Sequence, residues 1–423
     1  MSATPATMAS KSSGDATAGF LNTDWNPREL PVGAETRKVE LRTAEDAATG
    51  GSLYTNGPAR TVVCIMHPRE FMACHYFIPD ILGAGYAAWS QSPRSVGNDL
   101  RLEHEFALYD VAAGVKFLRE QGFRNIVLLG NSGGSGLYSF YIQQSNLSAE
   151  ARIAKTPGGR QTNLTSLDMP LADGMIFVAP HPGQGALLLQ CIDPSVVDES
   201  DPLSVDSTLD ALDPRNGFVA PPRSSSYAPE FVTRYRAAQR ARVERIDAEA
   251  YRLIAERLAA RKRAKENGTL DDRRRAGHSP IMTIWRTDAD LRNFDLSLDP
   301  SDRPYGSLWG KDPHTSNFGS VGFARLCSPE SWLSTWSAAS SNASLAKTAP
   351  GITQPTLLVD YTGDPACFPT VVDSIFDSIG SANKHRMRVR GDHHGRALAP
   401  GEEAGRYVAG RLLQQWLRDT FPH

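Results

Sequence analysis

Gly130-Asn-Ser-Gly-Gly134 sets one serine between glycines in the spacing GxSxG. Before it, Asn125-Ile-Val-Leu-Leu129 has the length and composition of a strand buried on both faces. After it, Leu137, Tyr141 and Ile142 recur at helical spacing. A serine on a tight strand-to-helix turn holds its hydroxyl clear of the backbone, and small neighbours let the chain approach closely. Ser132 is therefore the candidate nucleophile. The amide of Gly133, near the positive end of the new helix, is a candidate oxyanion donor. Serines and glycines also cluster in ordinary turns, so the flanking strand and helix make the motif specific.

The rest of the chain supplies the frame for that turn. Strands are expected at Lys38–Arg42, Gly51–Tyr54 and Thr61–Met66, separated by turn-forming residues. Another is expected at Tyr86–Trp89. Between Glu103 and Gln121, Leu108, Val111, Val115 and Leu118 fall at spacings of three and four, an amphipathic helix closed by Gly122. Met175–Ala179 and Pro355–Tyr361 read as further apolar strands, His385–Arg390 as a half-exposed edge strand, and Val408–Leu417 as a closing helix. Strands alternating with helices imply a parallel sheet covered on both faces.

Between Ala179 and Pro355 the alternation stops. This insertion opens with acidic residues (Asp193, Asp198, Glu199, Asp201) and holds a long helical stretch, Ala228 to Glu266. Its expected apolar stripe is Phe231, Tyr235, Ala238, Ile246, Tyr251, Ile254 and Leu258. The many arginines around that stripe suit a solvated lid laced with ion pairs, and the alternative is an arm for homo-oligomer formation. The expected division is a disordered tail over 1–25, a first core part over 26–185, a helical cap over 186–347 and a second core part over 348–423.

A net charge of −2 and 40% hydrophobic residues give no electrostatic case for nucleic acid or an anionic membrane. There is no run of 18 apolar residues, so a membrane span is not expected. The first residues lack the basic start and apolar stretch of a secretion signal, which makes the cytoplasm the expected compartment. Cys64, Cys74, Cys191, Cys327 and Cys367 occur singly, a pattern that suggests neither a zinc site nor a disulfide framework. No metal and no cofactor are expected.

Taken together, the serine turn, the alternation and the late insertion resemble the α/β-hydrolase superfamily, a mostly parallel, doubly wound sheet with an inserted helical cap. The resemblance covers about Arg37 to Trp416 apart from the insertion. It implies a triad in the chain order serine, acid, histidine. Asp364, in the turn after Pro355–Tyr361, matches the acid, with Asp360 inside the strand as substitute. His393, in Arg390-Gly-Asp-His-His-Gly395, matches the histidine, with His394 as the one-residue alternative. A second oxyanion donor is implied after the third strand. There Pro68 has no N–H, so the amide of Arg69 takes that position. His67 is expected to be a hydrogen-bonding residue beside the hole. His181 and Glu70 are expected to line the pocket or hold its loops, while His75, His104, Trp285, Trp309, Trp332 and Trp336 fit either substrate contact or core.

The implied activity is hydrolysis of a carboxylic ester or lactone, bulky or hydrophobic, through an acyl-enzyme on Ser132. Related constellations cleave amides or carbon-carbon bonds. A ligand-binding module of the same architecture is the reading outside enzymes.

Overall fold

The computed structural model describes residues 29–96, 99–319 and 322–423. The tail expected over 1–25 lies outside the described residues, as does part of the loop between Ser92 and Asp99.

The chain begins with a hairpin, β1 (Glu35–Arg42) and β2 (Ala48–Thr55), paired antiparallel. Next come β3 (Thr61–Ile65), α1 (Ile78–Gly83), β4 (Ala87–Ser92), α2 (His104–Glu120), β5 (Asn125–Asn131), α3 (Gly133–Asn146) and β6 (Gly174–Val178). The insertion then supplies α4 (Gln184–Cys191), α5 (Pro229–Lys265), α6 (Leu270–Gly277), β7 (Met282–Thr283), α7 (Pro313–Phe318), β8 (Leu326–Cys327), α8 (Pro329–Ser331) and α9 (Leu345–Thr348). The alternation resumes with β9 (Thr356–Tyr361), α10 (Pro369–Ser378), β10 (Lys384–Val389) and α11 (Gly405–Thr420).

Among the described residues the main sheet has eight strands in the order β1-β2-β4-β3-β5-β6-β9-β10. β1, β2 and β4 pair antiparallel, and every pairing from β4 to β10 is parallel. The apolar runs β3, β6 and β9 are buried along their whole length, as strands covered on both faces must be. β10 is an edge strand on which His385 and Arg388 are exposed, Lys384, Arg386 and Met387 are partly buried, and Val389 is buried. Helices flank the sheet, with α1 against α11 and α2 against α3. On α2, the residues at spacings of three and four (Leu108, Val111, Val115, Leu118) are buried, but so is every residue from His104 to Ala112, so the first half of this helix is enclosed on all sides and only its second half is amphipathic.

The insertion has apolar clusters of its own. One joins Leu188 and Ile192 at α4 with Val243, Ile246 and Ile254 of α5 and with Trp332 and Trp336. Another gathers Phe218, Tyr227, Phe231, Tyr235 and Phe294. Each large side chain so buried contributes roughly 1.5–3 kcal/mol. By contrast, Ala343, Leu345 and Ala349, at the end of the insertion, belong to the main core beneath α3.

α5 departs from the expected stripe. Tyr251 and Leu258 are exposed, whereas Gln239, Arg242 and Ala250 are buried with Phe231, Tyr235, Ile246 and Ile254. The buried face holds two polar residues because they bond main-chain carbonyls. Gln239 donates to Gln190 O and Ile192 O, both at 2.8 Å, and Arg242 donates to Asp193 O at 2.6 Å and Trp285 O at 2.9 Å. Among the described residues, no helix is long and apolar enough to cross a membrane.

Candidate functional site

Ser132 sits at the junction of β5 and α3 with φ 51° and ψ −118°, a conformation rare for a residue with a Cβ. Its amide donates to Val178 O at 2.8 Å, which ties the turn to the end of β6. The motif glycines make the turn sterically feasible. A Cβ on Gly130 would lie 2.6 Å from Gly134 C and from Ser135 Cα, and one on Gly134 would lie 2.4 Å from Met66 O. Only hydrogen fits at either position.

The structure brings Ser132, His393 and Asp364 into one chain of contacts. His393 Nε2 is 3.0 Å from Ser132 Oγ, and His393 Nδ1 is 2.7 Å from Asp364 Oδ2. The other oxygen of Asp364 accepts main-chain N–H groups from Ala366 at 2.7 Å and Cys367 at 3.0 Å, which orients the carboxylate toward the ring. A buried carboxylate acting only as acceptor requires the proton on Nδ1 and leaves Nε2 to accept the serine proton. Burial lowers the His393 pKa, but the Asp364 charge and hydrogen bond outweigh it, and the net direction is upward.

The two substitutes lie elsewhere. His394 packs edge-on against His393 with ring centroids 5.0 Å apart, and burial holds its pKa well below the usual value. Its amide and that of Arg396 donate to Asp392 Oδ1, both at 2.9 Å, so Asp392 shapes this loop. Asp360 is bound by Arg386 and Arg388 of β10.

Gly133 is the first residue of α3, where main-chain N–H groups have no helical partner. Arg69 follows β3 and lines the cavity beside Ser132. Its amide donates to His67 Nδ1 at 3.2 Å, and the amide of Glu70 donates to the same atom at 3.0 Å. The Arg69 guanidinium lies over the Trp336 ring, 5.3 Å from its centroid, and pairs with Glu70 at 3.2 Å.

A cavity of about 50 Å³ opens onto Ser132, lined on its insertion side by Leu187, Leu308, Trp309, Phe323 and Trp336. His181 lines the other wall. Its Nδ1 accepts the amide of Gly183 at 3.2 Å, and burial, with His393 and Arg69 adding to it, pushes its pKa down to about 3. Gln184, at the start of α4, also faces the cavity with its whole carboxamide buried. The aromatic wall was visible in the sequence only as unassigned tryptophans. Gln184 carried no signal, because a lone glutamine at a helix start has no diagnostic spacing.

Among the described residues, one group of three has metal-ligand atoms within 4.8 Å of one another: Asp364, Cys367 and His393. Two of its members are already joined through His393 Nδ1. The Cys367 thiol, whose pKa burial raises well above the usual range, donates to Ala179 O at 3.1 Å. The set therefore forms a hydrogen-bonded network around the imidazole. No disulfide joins the described cysteines.

No family model and no curated protein matches the chain. Among solved structures it is similar to DcsB in complex with a substrate analogue, at 11% identity and TM-score 0.48 over 91% of this chain and 100% of that one. It is similar to the α/β hydrolase GrgF from Penicillium sp., at 13% and 0.48 over 92% and 100%. It is also similar to carboxyl esterase 2 from Tuber melanosporum, at 14% and 0.42 over 93% and 89%. The strand order, the serine turn after β5 and the insertion between β6 and β9 give this chain the α/β-hydrolase fold.

Proposed function

We propose that the protein is a serine hydrolase that cleaves a carboxylic ester or lactone through an acyl-enzyme on Ser132. The observation that carries this reading is His393 held between Ser132 and Asp364, at 3.0 Å and 2.7 Å. Ser132 Oγ attacks the carbonyl carbon while His393 Nε2 takes its proton, and Asp364 stabilises the imidazolium. The same proton passes to the leaving oxygen. Water then adds to the acyl-enzyme by the reverse transfers, releasing the acid and restoring the serine. All of these steps use side chains already in hydrogen-bond reach.

The cavity that opens onto Ser132 is small, about 50 Å³. It therefore holds a short acyl or alcohol group against an apolar wall. A bulkier substrate requires Trp309 and Phe323 to move.

The experiment is labelling with a fluorophosphonate, read by peptide mass spectrometry, alongside a panel of aryl esters, lactones, amides and diketones. The expected result is an adduct on Ser132, turnover of esters or lactones, and loss of both in Ser132→Ala. A folded protein that takes no label and turns over no ester or lactone would end this reading.

A further inference from the structure

His67 ends β3 beside the serine turn and is 6% exposed. Pro68 has no N–H to offer, and the next two amides, of Arg69 and Glu70, both donate to His67 Nδ1 at 3.2 Å and 3.0 Å. An imidazole nitrogen that accepts two N–H groups carries no proton, so the proton of the neutral ring is on Nε2. Burial first, then the charge of Arg69 and the neighbouring imidazoles, keep the His67 pKa well below its ordinary value, so this ring is neutral at working pH.

That Nε2–H has no hydrogen-bond partner among the described residues, and His67 lines the cavity that opens onto Ser132. Its position is fixed by Gly133: a Cβ placed on that residue would lie 2.6 Å from His67 Nε2. The ring donor therefore stands against the residue whose amide begins α3. Among the described residues outside the turn itself, the next polar atom is Gln184 Nε2, at 2.7 Å from the same point. Its carboxamide has no partner in hydrogen-bond geometry, although it lies near enough to His104 to offset part of what burial does to that imidazole.

We infer that the second oxyanion donor is the Nε2–H of His67, and that the Arg69 amide acts one step back by fixing the ring's tautomer. This rests on the serine hydrolase reading. When Ser132 Oγ bonds to the carbonyl carbon, the π pair moves to the carbonyl oxygen. Gly133 N–H and His67 Nε2–H then donate to the oxyanion, and His67 neither gains nor loses a proton. A neutral imidazole with its donor preset toward the developing charge needs no reorganisation in the transition state. The loop that usually supplies a main-chain donor here supplies a side-chain donor instead, because proline removes one amide and the ring binds the next two.

Two substitutions separate this role from a structural one. In His67→Asn the side-chain oxygen can still accept the Arg69 and Glu70 amides at the Nδ1 position, but nothing donates at Nε2. In His67→Gln the carboxamide nitrogen can reach the Nε2 position. The expected result for His67→Asn is a kcat lowered by about 10²–10³-fold with KM little changed. Its affinity for a trifluoromethyl ketone analogue of the substrate should fall by a similar factor, with the melting temperature retained. His67→Gln is expected to recover at least about a tenfold part of that loss. In the wild type, the ¹⁵N spectrum of His67 should report the neutral Nε2–H form, with the proton moving downfield when the ketone adds to Ser132.

The inference is overturned if folded His67→Asn keeps the wild-type kcat and ketone affinity. It is also overturned if Asn and Gln lose activity equally along with melting temperature, or if Gln184→Leu costs more kcat than His67→Asn. Wild-type protein that is unlabelled and inactive would instead remove the hydrolase reading, and this inference with it.

Discussion

Asp364 and Asp360 stand four residues apart, and only Asp364 meets His393. Its Oδ2 lies 2.7 Å from the ring, whereas both oxygens of Asp360 accept from Arg386 and Arg388 at 2.9 to 3.1 Å. The two carboxylates thereby have different partners, and the proposed mechanism uses only Asp364. Asp364→Asn is expected to lower kcat by about 10⁴-fold, because an amide can hold the imidazole in the wrong tautomer. Asp360→Asn is expected to cost about 1–3 kcal/mol in denaturant unfolding while turnover persists, since it weakens charge-assisted bonds between β9 and β10. Steady-state kinetics and urea curves on both variants check this, and the reverse pattern would exchange the assignments.

The pH profile follows from the same contact. Burial alone would lower the His393 pKa, but Asp364 raises it above its ordinary 6.5. In the proposed mechanism the neutral ring accepts the Ser132 proton, so kcat/KM is expected to fall as pH drops through a pKa above 6.5. His181, at about 3, and His67, also held low, add no inflection near neutrality. Asp364→Asn removes the raising charge and leaves the burial, so residual activity should show its acid limb at lower pH. A wild-type limb below 6.5, or one that this variant moves upward, contradicts the assignment.

How much of this could be read from sequence depended on whether a residue's neighbours in the chain were also its neighbours in space. Ser132 was readable because a strand, two glycines and a helix surround it within the chain, and β3, β5, β6 and β9 because their apolar runs are unbroken. Asp364 and His393 needed the family's chain order: a turn position set Asp364 apart from Asp360 inside the strand without marking it as catalytic, and adjacent His393 and His394 differ by a one-residue shift. α5 misled where Gln239 and Arg242 turn inward to meet carbonyls of the α4 region, partners set by the tertiary fold. Arg69 occupied the right position for an oxyanion donor, but the direction of an amide depends on backbone angles that residue types do not encode. His67 took up that amide through its ring.

The strain at Ser132 makes a stability prediction. A side chain held at φ 51° and ψ −118° costs about 1–3 kcal/mol. Ser132→Ala keeps the Cβ and the strain, whereas Ser132→Gly removes both and gives back about 0.5–1 kcal/mol through the freer unfolded chain. The glycine variant is expected to be the more stable of two inactive proteins, by about 1 kcal/mol in urea unfolding. An alanine variant of equal or greater stability would show that the turn is not strained.

Arg242 tests whether the insertion can loosen while the sheet holds. It is fully buried, and its guanidinium bonds Asp193 O, Trp285 O and both oxygens of Glu199, so one α5 side chain ties together three separate stretches of the insertion. Methionine fills much of the same space but leaves two carbonyls and a carboxylate without their donor. Arg242→Met is therefore expected to cost about 1–3 kcal/mol, the penalty for leaving buried acceptors without a donor, since the partly exposed Glu199 carboxylate can be rehydrated. The apolar clusters of the insertion are largely its own, so that loss should be local. In hydrogen exchange, amides around Asp193 to Glu199 and Met282 to Trp285 should lose protection while β5, β6 and β9 keep theirs, and fluorophosphonate should still label Ser132. Equal loss of protection in the sheet would mean that insertion and core unfold as one cooperative unit, joined through Ala343, Leu345 and Ala349 beneath α3.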